Sequence, residues 1–248
     1  MKSPLVFISV LCVLFSSCSQ GQNPKKSRFG SLLEKVGQAT GQKTGGSLTN
    51  DEIVLGLKEA LRVGISNGSS QASALDGYFK NNAIKLLFPP DAQKVENTLR
   101  QIGLGNEVDK FVLSLNRAAE DAAKRALPIF GNAITSMSIQ DAVGILRGDK
   151  TAATQYLRRT TYQGLYEQFS PVVDSTLKTN NATKYYADLV NTYNKIPLVQ
   201  QKVNPDLRKY ATDKAIDGLF VLVQEEERKI RENPAARVSD ILKRVFGQ

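Results

Sequence analysis

The clearest structural signal in the chain is Val108-Asp-Lys-Phe-Val-Leu-Ser-Leu-Asn-Arg-Ala-Ala-Glu-Asp-Ala-Ala-Lys-Arg-Ala-Leu-Pro-Ile-Phe130. At about 100° per residue, ten of its apolar side chains fall within one arc of about 120°, which predicts an amphipathic helix. The alanines in this arc indicate that a partner helix packs closely against it. Pro128 lies inside the pattern and is expected to kink or end the helix. The arc contains Val108, Phe111, Val112, Leu115, Ala118, Ala119, Ala122, Ala126, Ile129 and Phe130.

Helix start signals lie on both sides of this stretch. Thr49 and Glu52 have the spacing of a capping box ahead of an apolar face. We therefore predict a helix over about 50–66, which Asn67-Gly-Ser-Ser ends.

Later boundaries follow the same rules. Ser138 and Asp141 predict the start of another helix. Pro171 is predicted to be the first residue of a helix that Ser170 caps, because proline is tolerated where the helical N–H is unpaired.

The C-terminal part predicts two more helices. Asn204-Pro205 opens a long helix that reaches about Arg231, and Pro234 then turns the chain into a short terminal helix. No stretch of the sequence shows sustained period-two alternation. We predict an all-α fold in which residues 48–248 form a single, bundle-like domain of about 200 residues.

The first residues have the layout of a secretory signal. Lys2 is followed by a run over 5–15 that is apolar apart from one serine, and then by Ser16-Ser17 and Cys18. The apolar run is shorter than the roughly 20 residues that span a bilayer. We predict that residues 1–17 are a lipoprotein-type signal peptide.

Cys18 is the predicted site of lipid attachment. Bacterial lipoprotein signals place the cysteine that is acylated, with palmitate among its lipids, directly after small residues. The expected partner is membrane lipid, and the expected location is the cell envelope, on a periplasm-facing membrane. An ordinary cleaved signal peptide is the alternative.

Residues 18–47 are expected to form a flexible basic tether. Their composition is rich in Gly, Gln, Asn, Lys, Ser and Thr, and they include five basic residues and one acidic residue, Glu34. Near anionic headgroups each basic residue is worth about 1 kcal/mol of attraction. Although the whole chain has a formal charge of +9, we expect no nucleic-acid partner, because export removes the chain from most nucleic acid. The basic residues are Lys25, Lys26, Arg28, Lys35 and Lys43.

Composition restricts the available chemistry. The chain has no histidine, which excludes histidine bases, serine or cysteine triads that use histidine, and nearly all zinc sites. Cys12 would leave with the signal peptide and Cys18 would be acylated, so no disulfide or thiol nucleophile is expected. We expect no metal and no cofactor. Carboxylates are the main catalytic groups that remain.

One carboxylate in the C-terminal helix falls on an apolar face. Glu225 and Glu227 have Lys229 and Arg231 four residues later, a favourable helix pairing. Glu226 instead lies in an apolar arc. If that arc is buried, Glu226 forms a structural salt bridge, serves as a polar anchor in a ligand cavity, or acts as a general acid with a raised pKa. The remaining alternative is that Glu226 is partly exposed. The arc contains Ala215, Leu219, Leu222, Val223 and Ile230.

The polar residues of the 108–130 helix are a second candidate. Asn116, Arg117 and Glu120 lie outside the apolar arc. We expect them to form a solvated face, with a buried polar site as the alternative. No catalytic residue is assigned.

Five separated blocks resemble, in order, the bacterial family of domains of unknown function numbered 4197. The resemblance covers about Leu48 to Gly247 and implies an exported, mostly helical, single-domain protein; it implies no activity. The blocks are Asn116-Arg-Ala-Ala-Glu120, Ala152-Ala-Thr154 with Tyr156, Lys214-Ala-Ile-Asp-Gly-Leu-Phe220, Glu225-Glu-Glu227 and Glu232-Asn-Pro-Ala-Ala-Arg237.

Two function classes follow. The first is a non-enzymatic cell-envelope lipoprotein, a binding or scaffold module for an envelope protein or a lipid ligand. The second is a carboxylate-based hydrolase of an envelope polymer, which requires two inward-facing carboxylates about 5–10 Å apart. We favour the first, because only Glu226 is expected to face inward.

Overall fold

The computed structural model describes residues 48–179, 181–195 and 206–247. Within these ranges the chain forms nine α-helices and two short 3₁₀ turns, with no β-strand, which confirms the all-α prediction. The predicted signal peptide, Cys18, the tether and Asn204-Pro205 lie outside the described residues. The helices are α1 (Asn50–Ser73), α2 (Gln93–Gln101), α3 (Gly105–Ala123), α4 (Ala126–Thr135), α5 (Ile139–Arg147), α6 (Ala152–Thr179), α7 (Ala182–Asn194), α8 (Arg208–Glu232) and α9 (Asp240–Phe246).

Four long helices, α1, α3, α6 and α8, form the centre of the fold. Helices α1, α6 and α8 all pack against α3, and α8 also packs against α1 and α6. The apolar arc predicted over 108–130 continues from α3 into α4 and is buried, apart from Ile129 of α4, which is partly buried. The remaining helices surround this centre. Helix α3 is therefore covered on several sides, which explains why polar positions outside its apolar arc are also buried.

Small residues let α1 and α8 approach closely. A Cβ at Gly64 would lie 3.3 Å from Cβ of Glu226, and a Cβ at Gly68 would lie 3.4 Å from the backbone nitrogen of Val223. This packing extends α1 to Ser73, so the prediction that the helix ends near residue 66 is wrong. The contacts with α8 offset the weak helix propensity of the Asn67-Gly-Ser-Ser segment.

The two capping boxes are confirmed. Thr49 and Glu52 bond reciprocally at the start of α1, and Ser138 and Asp141 do so at the start of α5. Each pair satisfies two N–H groups that the first helical turn leaves without partners.

The prolines behave differently from each other. The 108–130 stretch is interrupted as predicted, and Pro128 lies in the first turn of α4. Pro171, however, lies inside the 28-residue helix α6, so the predicted boundary at Ser170 is wrong. Phe169 and Val173, on either side of Pro171, are fully buried. Packing of this face holds the helix together across the residue that lacks an N–H group.

Candidate functional site

The segment 74–90, which joins α1 to the first 3₁₀ turn without forming a helix, is fixed on α3 by a buried carboxylate. Oε1 of Glu120 accepts hydrogen bonds from the backbone nitrogens of Tyr78 (3.2 Å) and Phe79 (3.3 Å). Oε2 of Glu120 pairs with Nη1 of Arg117 at 2.6 Å, and Nη2 of Arg117 pairs with Oδ1 of Asp76 at 2.8 Å. We call Asp76, Tyr78, Arg117 and Glu120 the Glu120 cluster.

The electrostatics of this cluster favour the charged form of Asp76. Lys80, at 2.9 Å, and then Arg117 lower the pKa of Asp76 below its ordinary value. Asp76 adopts a left-handed conformation with φ of 67°, which is uncommon for a residue other than glycine. The two cations therefore hold the carboxylate of a strained turn residue.

Asn116 ties the same segment to α3 at a second point. Its side chain is fully buried, and Oδ1 accepts from the backbone nitrogen of Leu86 at 2.9 Å. Its Nδ2 donates to the carbonyls of Leu86 at 2.9 Å and Val112 at 2.7 Å. The Asn116 amide thus bonds both the N–H and the C=O group of Leu86, in a segment that lacks the regular backbone hydrogen bonds of a helix or sheet.

The expected solvated face of α3 is therefore wrong for Asn116 and Glu120, and Arg117 is only partly exposed. The physical reason is that segment 74–90 covers the side of α3 that carries Asn116 and Glu120. A single apolar arc identifies one buried side of a helix, whereas this helix has two.

Tyr78 connects the segment to α8. Its fully buried hydroxyl donates to the carbonyl of Ala215 at 2.5 Å. Burial, and then the charge of Glu120, raise the pKa of Tyr78 above its ordinary value. The ring lies against Gly218, where a Cβ would come within 2.6 Å of Cε1.

A second cluster joins α8 to the start of α6. Oε1 of Glu227 accepts from the backbone nitrogen of Ala153 at 3.0 Å. Its Oε2 accepts from the backbone nitrogen and the hydroxyl of Thr154, at 2.9 and 2.7 Å. Arg231 donates to the same carboxylate at 2.9 Å and to the carbonyl of Ile145, near the end of α5, also at 2.9 Å. These residues, the Glu227 cluster, cap α6 with a charge that favours its N-terminus.

Glu226, the carboxylate singled out from the sequence, lies beside the α1–α8 contact and is 8% exposed. Oε1 pairs with Nζ of Lys229 at 2.6 Å, and Oε2 accepts from Nδ2 of Asn67 at 2.9 Å. Lys229 therefore pairs with Glu226 and not with Glu225 as the helix spacing predicted. The predicted pair of Glu227 with Arg231 is present.

The structure thus gives partners to all three buried glutamates of the described residues, Glu120, Glu226 and Glu227. Sequence reasoning missed Glu227 as a helix cap because its backbone partners lie more than 70 residues away along the chain. The only available signal was its (i, i+4) arginine, which is equally typical of an exposed pair.

The described residues line a small void and several open grooves. The void lies between α1, α6 and α8, measures about 20 Å³ and is almost entirely apolar, with Phe246 of α9 at its edge. A continuous cavity for a lipid chain, which a lipid-binding role would require, needs far more room than this void, about that of one water molecule. A groove of about 830 Å³ is open to solvent between α4 and α6.

No described helix is both long and apolar enough to cross a bilayer. The described ranges contain no group of three or more side chains placed to hold a metal ion.

Comparison with known proteins identifies the family. No curated protein and no solved structure matches the chain significantly. A family model described as "Protein of unknown function (DUF4197)" matches residues 47–247, which include both carboxylate clusters. The chain belongs to this family.

Proposed function

We propose that this protein is a cell-envelope lipoprotein, held at a membrane through an acylated Cys18, that acts as a non-enzymatic binding or scaffold module. The signal-like sequence of residues 1–17 and the basic composition of residues 18–47 support the anchor.

The observation that carries the non-enzymatic half of the proposal is the bonding of the buried carboxylates. Glu120 binds two backbone N–H groups and an arginine, Glu227 binds two backbone N–H groups, a hydroxyl and an arginine, and Glu226 binds a lysine and an amide. A general acid or base must reach the substrate proton within hydrogen-bond distance. Carboxylates engaged in this way support a structural role, and this favours a binding module over the carboxylate-based hydrolase.

The anchor is tested by native mass spectrometry of protein extracted from membranes, with Cys18→Ala as the comparison. We expect a diacyl or triacyl mass on the wild type and none on the variant. Wild-type protein that carries no lipid would contradict the anchor and would move the search to soluble periplasmic partners.

The binding role is tested in the same spectra. A co-purified mass that stays bound to both wild type and Cys18→Ala would identify a ligand of the folded domain. The hydrolase alternative makes a different prediction for Glu226→Gln, which removes the charge and keeps the shape. Loss of an envelope-polymer cleavage activity in Glu226→Gln, with unchanged thermal stability, would contradict the proposal.

A further inference from the structure

Helix α4 forms a ridge between two open grooves. The groove between α4 and α6 measures about 830 Å³, and the groove between α4 and α1 measures about 380 Å³. We call α4 and the residues that line both grooves, on α1 from Arg62 to Asn67 and on α6 from Tyr156 to Gln168, the α4 strip. A surface with a ridge directly beside a groove can fit a copy of itself, since each ridge enters the groove of the other copy.

The strip has the composition of an interface. The ten residues of α4 include no charged side chain. Leu127, on the ridge, is 45% exposed, and Ile139, just beyond it, is 50% exposed. Of the 20 residues that line the two grooves, three are charged: Arg62, Arg125 and Glu167. Depletion of charge at the centre is typical of protein interfaces.

The charges at the edge complement each other. Arg125 and Glu167 line the same groove, and both are exposed. Within the described part of the chain neither forms an ion pair, and Glu167 accepts a hydrogen bond from Gln163 at 2.9 Å. In a twofold-symmetric complex, a contact between Arg125 of one copy and Glu167 of the other is made twice.

We propose that the α4 strip binds a second copy of this chain in a twofold-symmetric dimer, in which Arg125 of each protomer pairs with Glu167 of its partner. The ridge of each protomer occupies the groove between α4 and α6 of the other.

The test is the mass of the full chain in native mass spectrometry after detergent extraction, measured over a concentration series. Wild type is compared with Arg125→Glu, Glu167→Arg and the double variant. Lys110→Glu, an exposed charge reversal on α3 outside the strip, is the matched control. Circular dichroism verifies that each variant is folded.

We expect a wild-type dimer and an unchanged dimer for Lys110→Glu. Each single reversal places like charges together at two equivalent contacts and should raise the dissociation constant about 100-fold, roughly tenfold per contact. The double variant restores both pairs with opposite polarity and should recover the dimer. Leu127→Asp, which places a charge on the ridge itself, should also prevent dimer formation.

Three results would overturn the proposal. The first is a wild-type protein that stays monomeric at about 100 μM, a concentration that populates even a weak dimer. The second is a dimer that is indifferent to the reversals and to Leu127→Asp. The third is loss of the dimer in both single variants without recovery in the double variant. A monomer that binds vesicles of anionic lipid through Leu127 would assign the strip to the bilayer instead.

Discussion

Replacement of Glu227 by glutamine should destabilise the fold far more than the same change at the neighbouring Glu225. The side chain of Glu227 is 6% exposed, and it accepts two backbone N–H bonds, one hydroxyl bond and one guanidinium bond. Glutamine keeps the shape of the side chain but replaces one carboxylate oxygen by an NH₂ group. This NH₂ group is a hydrogen-bond donor and would face the donors that Glu227 now accepts from. The substitution also removes the charge opposite Arg231, whose side chain is 14% exposed.

The magnitude follows from the partners that lose their acceptor. Hydrogen bonds to a charged group are worth about 1.5–3 kcal/mol, and a buried donor left without a partner costs about 1–3 kcal/mol. We expect Glu227→Gln to lower the free energy of unfolding by about 2–3 kcal/mol, and Glu227→Ala by about 3–5 kcal/mol, because alanine leaves the arginine uncompensated. Glu225→Gln should stay within about 0.5 kcal/mol of wild type.

Urea unfolding of the full chain measures these differences. The chain has no tryptophan, so helicity at 222 nm by circular dichroism is the suitable signal. Hydrogen exchange adds a local measurement, since the amides of Ala153 and Thr154 should exchange faster in Glu227→Gln and not in Glu225→Gln. Equal unfolding midpoints for the two glutamine variants, with unchanged exchange at the start of α6, would refute the assignment of Glu227 as its cap.

Three more predictions concern single contacts. Gly218→Ala should destabilise the fold by about 1–3 kcal/mol in urea melts, because its Cβ would lie 2.6 Å from the buried ring of Tyr78; Gly144→Ala, which meets open space, is the control. Stability should fall as the pH rises above 10.0, the ordinary pKa of tyrosine, because the unfolded chain then loses a proton that buried Tyr78 retains; Tyr78→Phe should reduce this slope, and equal slopes would contradict it. Ser138→Ala should cost about 1 kcal/mol at pH 7. Ser138 lowers the pKa of Asp141 from 3.8, so part of this difference should disappear as the pH falls below that value; a constant difference would contradict the bond from the Ser138 hydroxyl to the Asp141 carboxylate.

Local signals in the sequence were sufficient for the fold class and for the starts of α1 and α5. A capping box joins residues three apart, so Thr49 with Glu52 and Ser138 with Asp141 needed no knowledge of the rest of the chain. The end of α1 and the continuity of α6 through Pro171 were not predicted. Both depend on packing against other helices, and this packing outweighs the propensity of glycine, serine or proline at those positions.

The candidate site was only partly predictable for a related reason. The apolar arc placed Glu226 among residues that the structure shows to be buried, because the arc compares residues on one helix. It could not identify Glu120 or Asn116, whose cover is the segment 74–90, about 30 to 40 residues away along the chain. Residues that a distant segment buries carry no periodic signal of their own.

The positions of the buried carboxylates suggest why an all-helical chain keeps them. Helices that meet through alanine, glycine and leucine can slide or exchange partners with little loss of apolar contact, whereas a carboxylate that needs particular backbone N–H groups fixes one arrangement. Glu120 selects the path of segment 74–90 over α3, and Glu227 selects the start of α6 beside α8. On this argument, well-packed apolar replacements of a whole cluster would retain much of the stability and lose the unique arrangement. Such a variant should show broadened amide resonances in its NMR spectrum, while the midpoint of its unfolding transition stays close to that of the wild type.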